Sequence, residues 1–197
     1  MKRIVVHEFI TLDGVIQAPG GADEDTDGGF VHGGWTMPYW HDDIGKRFFD
    51  TMSRADTLLL GRRTWQIHSV FEKMDDPFAE ALNAVRKYVV STTLADASAW
   101  RNSTIIRGDV VGEVRKLKAQ SGKDILMDGS SELIRTLFQH DLIDELQLHV
   151  YPVALGGGKS IYPIGKRLGF TLVETAPLPT GVVFMRHRRA EPEASTA

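Results

Sequence analysis

Short β-branched apolar runs alternate with amphipathic stretches along most of the chain. Residues 3–10 (RIVVHEFI), 57–60 (TLLL), 87–91 (KYVVS), 104–107 (TIIR), 124–128 (DILMD) and 144–153 (DELQLHVYPV) are short and strand-like, and this predicts six strands, the first of them buried. Between them, apolar residues recur at helical spacing. Ile44, Phe48, Phe49, Met52 and Ala55 share one stripe, with Asp42 and Asp43 at the amino end where the helix dipole favours acids. Phe78, Ala81, Leu82 and Val85 mark a second helix behind Pro77. Val110, Val114 and Leu117 mark a third, which Asp109 caps and Gly122 ends, and Leu133, Ile134, Leu137 and Phe138 mark a fourth behind Gly129-Ser130-Ser131. GRRTW at 61–65 follows the second strand and reads as the start of a loop running to Pro77. FTLVETA (170–176), a Pro/Gly turn at 177–181 and VVFMRHR (182–188) predict a terminal hairpin.

Two segments break the pattern. Residues 15–41 hold eight glycines or prolines and an acidic cluster at 23–27, with no helical or alternating period. They read as a long functional loop over the substrate side, looser than the sheet because it has little apolar area to bury. AEPEASTA at 190–197 reads as a disordered tail, which leaves a single domain over 1–189. Strands alternating with helices give an α/β fold: a mostly parallel sheet with helices on both faces and an antiparallel hairpin at its C-terminal edge.

Composition narrows the function. With 197 residues, 42% hydrophobic and 25% charged, the chain supports one globular core. Its 23 Lys+Arg against 26 Asp+Glu give −3, so no global positive field exists to hold nucleic acid or an anionic membrane. The absence of cysteine excludes disulfides, thiolate metal sites and cysteine nucleophiles. No apolar run approaches the ~18 residues of a membrane span, and Met1-Lys2-Arg3-Ile4 passes into strand residues and Glu8 rather than a signal segment, so the expectation is a cytoplasmic protein.

In an open parallel sheet, ligands bind outside the carboxyl ends of the strands. Three polar clusters fall there: Gly61-Arg62-Arg63-Thr64, Ser91-Thr92-Thr93 and Gly129-Ser130-Ser131. Glycine lets a phosphate approach the backbone, hydroxyls donate, and guanidinium forks pair with phosphate oxygens. Taken singly they are ordinary caps and loop residues; three in one topological position describe a cradle for a phosphorylated ligand.

These segments, with FITLDG at the end of the first strand and the D-E-L-x-L-x-x-x-P-V-x-L-G-x-G run from Asp144 to Gly158, resemble the dihydrofolate reductase-like superfamily over residues 2–188. The nearer branch is that of the reductase domain of bifunctional riboflavin-biosynthesis enzymes. The resemblance implies a dihydrofolate reductase-like sheet of eight strands, NADPH as cofactor and a possible homodimer. It implies that Arg62, Arg63 and Thr64 meet the cofactor's phosphates, Ser91 and Thr92 its 2′-phosphate side, and Gly129, Ser130 and Ser131 its pyrophosphate. True dihydrofolate reductase carries a substrate-holding carboxylate in the helix before the second strand, and ungapped counting from Gly61 puts Gly45 there. Asp43, or Asp13 at the end of the first strand, is left as the candidate acid, and Trp40 and Phe48 as walls for a flat substrate.

Other patterns fail. Asp23-x-Asp25-x-Asp27-Gly28 begins like a calcium loop, but Gly34 stands at the twelfth position. Gly156-Gly157-Gly158-Lys159-Ser160 is P-loop-like, but Val153 replaces the first glycine. The seven histidines make neither H-x-H nor H-E-x-x-H, so no metal is expected, and no G-x-S-x-G elbow is present. Two readings remain: an NADPH-dependent reductase of a small heterocyclic or carbonyl/imine substrate of pterin or pyrimidine type, or a non-catalytic nucleotide-binding or ligand-sensing module on the same fold.

Overall fold

The computed structural model describes residues 1–190. Eight strands form one sheet: β1 (Ile4–Thr11), β2 (Ala55–Gly61), β3 (Arg86–Val90), β4 (Ser103–Ile106), β5 (Asp124–Asp128), β6 (Glu145–Tyr151), β7 (Phe170–Pro177) and β8 (Val183–Arg189), in the order β4-β3-β2-β5-β1-β6-β8-β7. Only β8 runs against its neighbours. The helices are α1 (Asp42–Ser53), α2 (Arg62–His68), α3 (Pro77–Ala84), α4 (Val110–Ala119) and α5 (Ser131–Gln139). All the strands expected from the sequence are present, shifted by a residue or two at their ends. The tail expected from residue 190 onward lies, apart from Ala190, outside the described residues.

Strand alternation sorts the core into two layers. Val6, Ile10, Leu59, Ile125 and Met127 pack with α4 and α5, while Leu58, Leu60 and Leu126 face Met52 of α1, Trp65 of α2 and Leu82 of α3. Local signals set the helix starts: Asp109 accepts from Gly112 N at the head of α4, and Asp76 accepts from Phe78 N and Ala79 N ahead of Pro77.

Two expectations need correction. GRRTW does not open a loop to Pro77; residues 62–68 are helical and a 3-10 turn follows at Ser69–Lys73. The seven-residue helix is too short to show periodicity, and it is held by tertiary contact. Trp65 is buried and its indole N–H donates to Ser103 Oγ at 2.9 Å. Nor is the 15–41 segment poor in buried apolar area. Val15, Ala18, Phe30 and Trp35 form a third core cluster with Ile44, Tyr151 and Phe184, and Trp35 Nε1 donates to Gln17 O at 2.8 Å. The aromatic residues spaced between its glycines, not a period, supply that core.

Candidate active site

At the carboxyl ends of β1, β2, β3 and β5 lies a cleft of about 1380 Å³. The three clusters picked out in the sequence line it together, and one flank of the 16–27 segment faces them. That segment was expected over the substrate side; it lines the same cleft as the cradle.

Two glycines let the cradle close up. Gly61 N donates to Ser130 Oγ at 3.0 Å, and Thr64 Oγ1 lies 2.8 Å from Ser130 Oγ. A Cβ on Gly61 would stand 2.3 Å from Ser130 Oγ, and one on Gly129, whose φ is +78°, 2.8 Å from Thr64 Oγ1. Because the Ser130 hydroxyl is turned to Gly61, no side chain caps α5. The first turn of α5, Ser131 to Leu133, lines the cleft, and the backbone N–H groups of such a turn have no partner within the helix. Ser91 is buried and its Oγ accepts from Thr93 N at 3.2 Å and Leu94 N at 2.9 Å, which fixes the loop that presents Thr92. Arg62 is exposed and donates to Gln66 Oε1 at 3.2 Å. Arg63 is engaged with Asp25 and Asp27.

The candidate acids lie elsewhere. Asp43 sits half-exposed at the head of α1, 3.2 Å from Lys46 Nζ, and does not line the cleft. Asp13 accepts from Thr11 Oγ1 and, through Oδ2, from Leu155 N at 3.0 Å and Gly156 N at 2.7 Å, and these bonds hold its carboxyl below the usual range. It fastens the glycine-rich loop after β6. Trp40 is half-exposed and meets the ring of Phe9, a cleft residue, at 6.5 Å; Phe48 packs on His7 at 4.8 Å and on Phe78. A Cβ on Gly45 would touch Trp40 at 3.7 Å.

The structure places a different carboxyl pair in the cleft. Glu8 is 5% exposed, and its Oε1 accepts from Gly129 N at 2.8 Å. Burial, then the charge of Asp128, pushes its carboxyl well above the ordinary range despite that bond. Asp128, at the end of β5, lies 3.6 Å from His7 Nδ1 on one side and 3.6 Å from His68 Nε2 on the other. Burial opposes its ionisation, but His7 and then His68 hold it below the usual value. The signal for this pair was present in the sequence as His7-Glu8 inside an otherwise apolar strand and Asp128 closing another.

On the α1 face of the sheet, His7, His149 and Tyr151 are fully buried, and among the described residues neither imidazole nor the phenol oxygen has a hydrogen-bond partner. They stack among Phe9, Phe48 and Phe184. Burial, then His7 and Arg47, drives His149 down to about 2, so its imidazole is neutral.

Residues 2–184 match the RibD C-terminal domain, and the chain belongs to that family. It is 30% identical over 189 residues to the uncharacterized protein YyaP of Bacillus subtilis (strain 168), covering 92% of each chain, and 26% identical to YwjB of the same organism over 82% of this chain and 83% of that one. Among solved structures, a putative riboflavin biosynthesis protein from Shewanella sp. PV-4 matches with TM-score 0.69 and 21% identity over 96% and 99% of the two chains. Dihydrofolate reductase from Enterococcus faecalis, complexed with NADP(H), matches with TM-score 0.63 and 15% identity over 96% and 97%. The fold is dihydrofolate reductase-like. No helix among the described residues is long and apolar enough to cross a membrane.

Proposed function

We propose that the protein is an NADPH-dependent reductase of a small, flat heterocyclic or carbonyl/imine substrate. The observation that carries this reading is the convergence of Arg62, Thr64, Thr92, Ser130 and the uncapped start of α5 on one cleft, drawn together by the Gly61–Ser130 contact. Guanidinium, hydroxyls and open backbone N–H groups are the donor set that phosphates take, and the glycines leave room for it where a Cβ would fill the gap. Arg62 and Thr92 would hold the 2′-phosphate, Thr64 and residues 129–131 the pyrophosphate. The structural relatives support the same reading: one is a pyrimidine reductase-like protein from Corynebacterium diphtheriae and another a dihydrofolate reductase with NADP(H).

Bound there, a reduced nicotinamide supplies a hydride to an electron-poor carbon. The chain's own task is to exclude water, orient the rings and deliver one proton. Glu8 holds that proton: it lines the cleft, its Oε2 has no hydrogen-bond partner among the described residues, and its environment keeps it neutral. The neighbouring Asp128, between two histidines, is held below the usual carboxylate range, and burial first and then the Asp128 charge favour the proton on Glu8. Phe9, with Trp40 beyond it, walls a flat ring. The reading is tested by titrating the protein with NADPH and NADH and following NADPH oxidation with a panel of pterins, pyrimidines and small carbonyl compounds. Tighter binding of NADPH and turnover of at least one compound are expected; no binding of either cofactor would end the proposal.

One observation favours the non-catalytic alternative. Ungapped counting from Gly61 puts Gly45 where a dihydrofolate reductase would carry its substrate-holding acid, and a Cβ there would stand 3.7 Å from Trp40. NADPH binding without oxidation across the whole panel would decide for a binding module.

A further inference from the structure

Three sequence features with no part in that chemistry meet at one point. They are the acidic run at 23–27, the Gly156-Gly157-Gly158-Lys159-Ser160 run and Arg63. Arg63 donates to Asp27 Oδ1 at 2.8 Å and to Asp25 Oδ1 at 3.0 Å. Lys159 Nζ lies 2.5 Å from Asp25 Oδ2 and 2.9 Å from Asp27 Oδ2. Gln17 braces the cluster from below, donating to the carbonyls of Asp25 at 3.1 Å and Asp27 at 3.0 Å and accepting from Lys159 N at 3.1 Å. Arg63, first, and Lys159 draw the Asp27 carboxyl down to about 2, so it is ionised throughout the neutral range.

The charge balance of the cleft gives this cluster a consequence. Seven acidic side chains line the cleft against three from Arg and Lys, and two of those three, Arg63 and Lys159, are already paired with aspartate. A dinucleotide with a pyrophosphate and a 2′-phosphate would meet a net negative wall in which, among the described residues, Arg62 is the cation not paired with a carboxylate. Carboxylate and phosphate compete for the same guanidinium geometry, and a phosphate offers more acceptor oxygens. We infer that Asp25 and Asp27 form a latch that occupies Arg63 and Lys159, and that a phosphate-bearing ligand seats fully only by exchanging these carboxylates for its own oxygens. Binding then loosens residues 20–29, which these pairs tie to Arg63 and Lys159. The latch concerns the same site as the proposed function, but its test does not depend on turnover.

The experiment compares wild type with Asp25→Asn/Asp27→Asn, both checked by thermal melting, for binding of NADPH and, separately, of inorganic pyrophosphate. Hydrogen exchange over 20–29 is read in the wild type with and without NADPH. Asp27→Asn alone serves if the double variant is unstable, with a smaller gain in the same direction. The latch predicts that both anions bind at least about tenfold tighter to the double variant, and that NADPH speeds exchange over 20–29. If only pyrophosphate binds, and binds the variant tighter, the latch stands and the cofactor reading falls. If NADPH binds both proteins equally and exchange over 20–29 slows, the latch is wrong and the cofactor reading survives. Binding of neither anion to either protein also overturns the latch.

Discussion

The carboxyl of Glu8 accepts the backbone N–H of Gly129 at 2.8 Å, tying the end of β1 to the loop between β5 and α5. Through that bond an acid buried in the sheet reaches the floor of the cradle. If Glu8 supplies the proton, Glu8→Gln keeps the shape and the bond to Gly129 but removes the acid. Turnover of whichever panel compound the wild type reduces should fall by about 10²–10⁴-fold, with NADPH affinity changed only a few-fold. The sign of the pH dependence follows from the raised ionisation of Glu8. The donor is present at low pH and lost as pH rises through its elevated value, so wild-type turnover declines on that side and the variant loses the limb. Asp43→Asn is the control: its carboxylate faces Lys46 and solvent, and turnover near wild type is expected. Unchanged turnover in Glu8→Gln would remove Glu8 from the mechanism.

The two arginines of GRRTW should behave differently. Arg62 carries no ion pair among the described residues, whereas Arg63 is paired with Asp25 and Asp27. One charge-assisted bond to the 2′-phosphate, at about 1.5–3 kcal/mol, corresponds to a preference for NADPH over NADH of roughly 10–100-fold. Arg62→Ala should therefore erase most of that preference, and Arg63→Ala much less of it. Competitive titration with the two cofactors measures both, and equal loss in the two variants would contradict the separation of roles.

Gly61 tests the cradle sterically, because its φ of −78° suits any residue and the penalty for a side chain is contact alone. The added Cβ of Gly61→Ala would fall 2.3 Å from Ser130 Oγ and 2.7 Å from its Cβ. A cost of about 1–3 kcal/mol in stability is expected for such overpacking, together with weaker NADPH binding. Removing the obstructing side chain in Gly61→Ala/Ser130→Gly should recover part of the stability without restoring the cradle. A double-mutant cycle from urea unfolding would show this coupling as non-additivity, and additive effects would mean the contact does not control the approach.

The sequence carried the sheet because each strand's alternation or apolar run is local, and the cradle because glycines and hydroxyls directly follow three of the strands, β2, β3 and β5. What it could not carry was assembly. Arg63, Asp25 and Lys159 are far apart in the chain, and the parallel pairing of β1 with β6 sets the 16–27 segment beside the loop after β6 and within reach of α2. The acidic run and the lysine-bearing glycine run each fail their known motifs alone. The proposed proton donor escaped the sequence reading for a related reason: Asp43 heads a visible helix stripe, while Glu8 lies in an apolar strand whose pattern says only that it is buried. In β6, ELQLHVY alternates polar and apolar residues, which suggests one solvated face. Both faces are covered instead, leaving Glu145, Gln147 and His149 buried.

His149 gives that buried polar face a measurable signature. Its folded value of about 2 lies below the ordinary 6.5, so the unfolded chain takes up a proton that the native protein refuses. Stability from this group is complete above about pH 6.5 and is lost as pH falls towards the folded value, at up to about 1.4 kcal/mol per pH unit. Neither ring nitrogen has a hydrogen-bond partner, and Phe9, Phe184 and His7 surround the ring with centroids between 5.1 and 5.6 Å away. Phenylalanine therefore sacrifices no hydrogen bond there, and His149→Phe should lose the proton-linked penalty. Urea unfolding at a series of pH values from 7 to 4.5 is the measurement. Carboxylates weaken both proteins on the acid side, so the difference between them isolates the histidine: the variant should gain on the wild type steadily below pH 6.5. Parallel curves would mean that His149 is protonated in the folded protein, and that its surroundings are wetter than the aromatic packing implies.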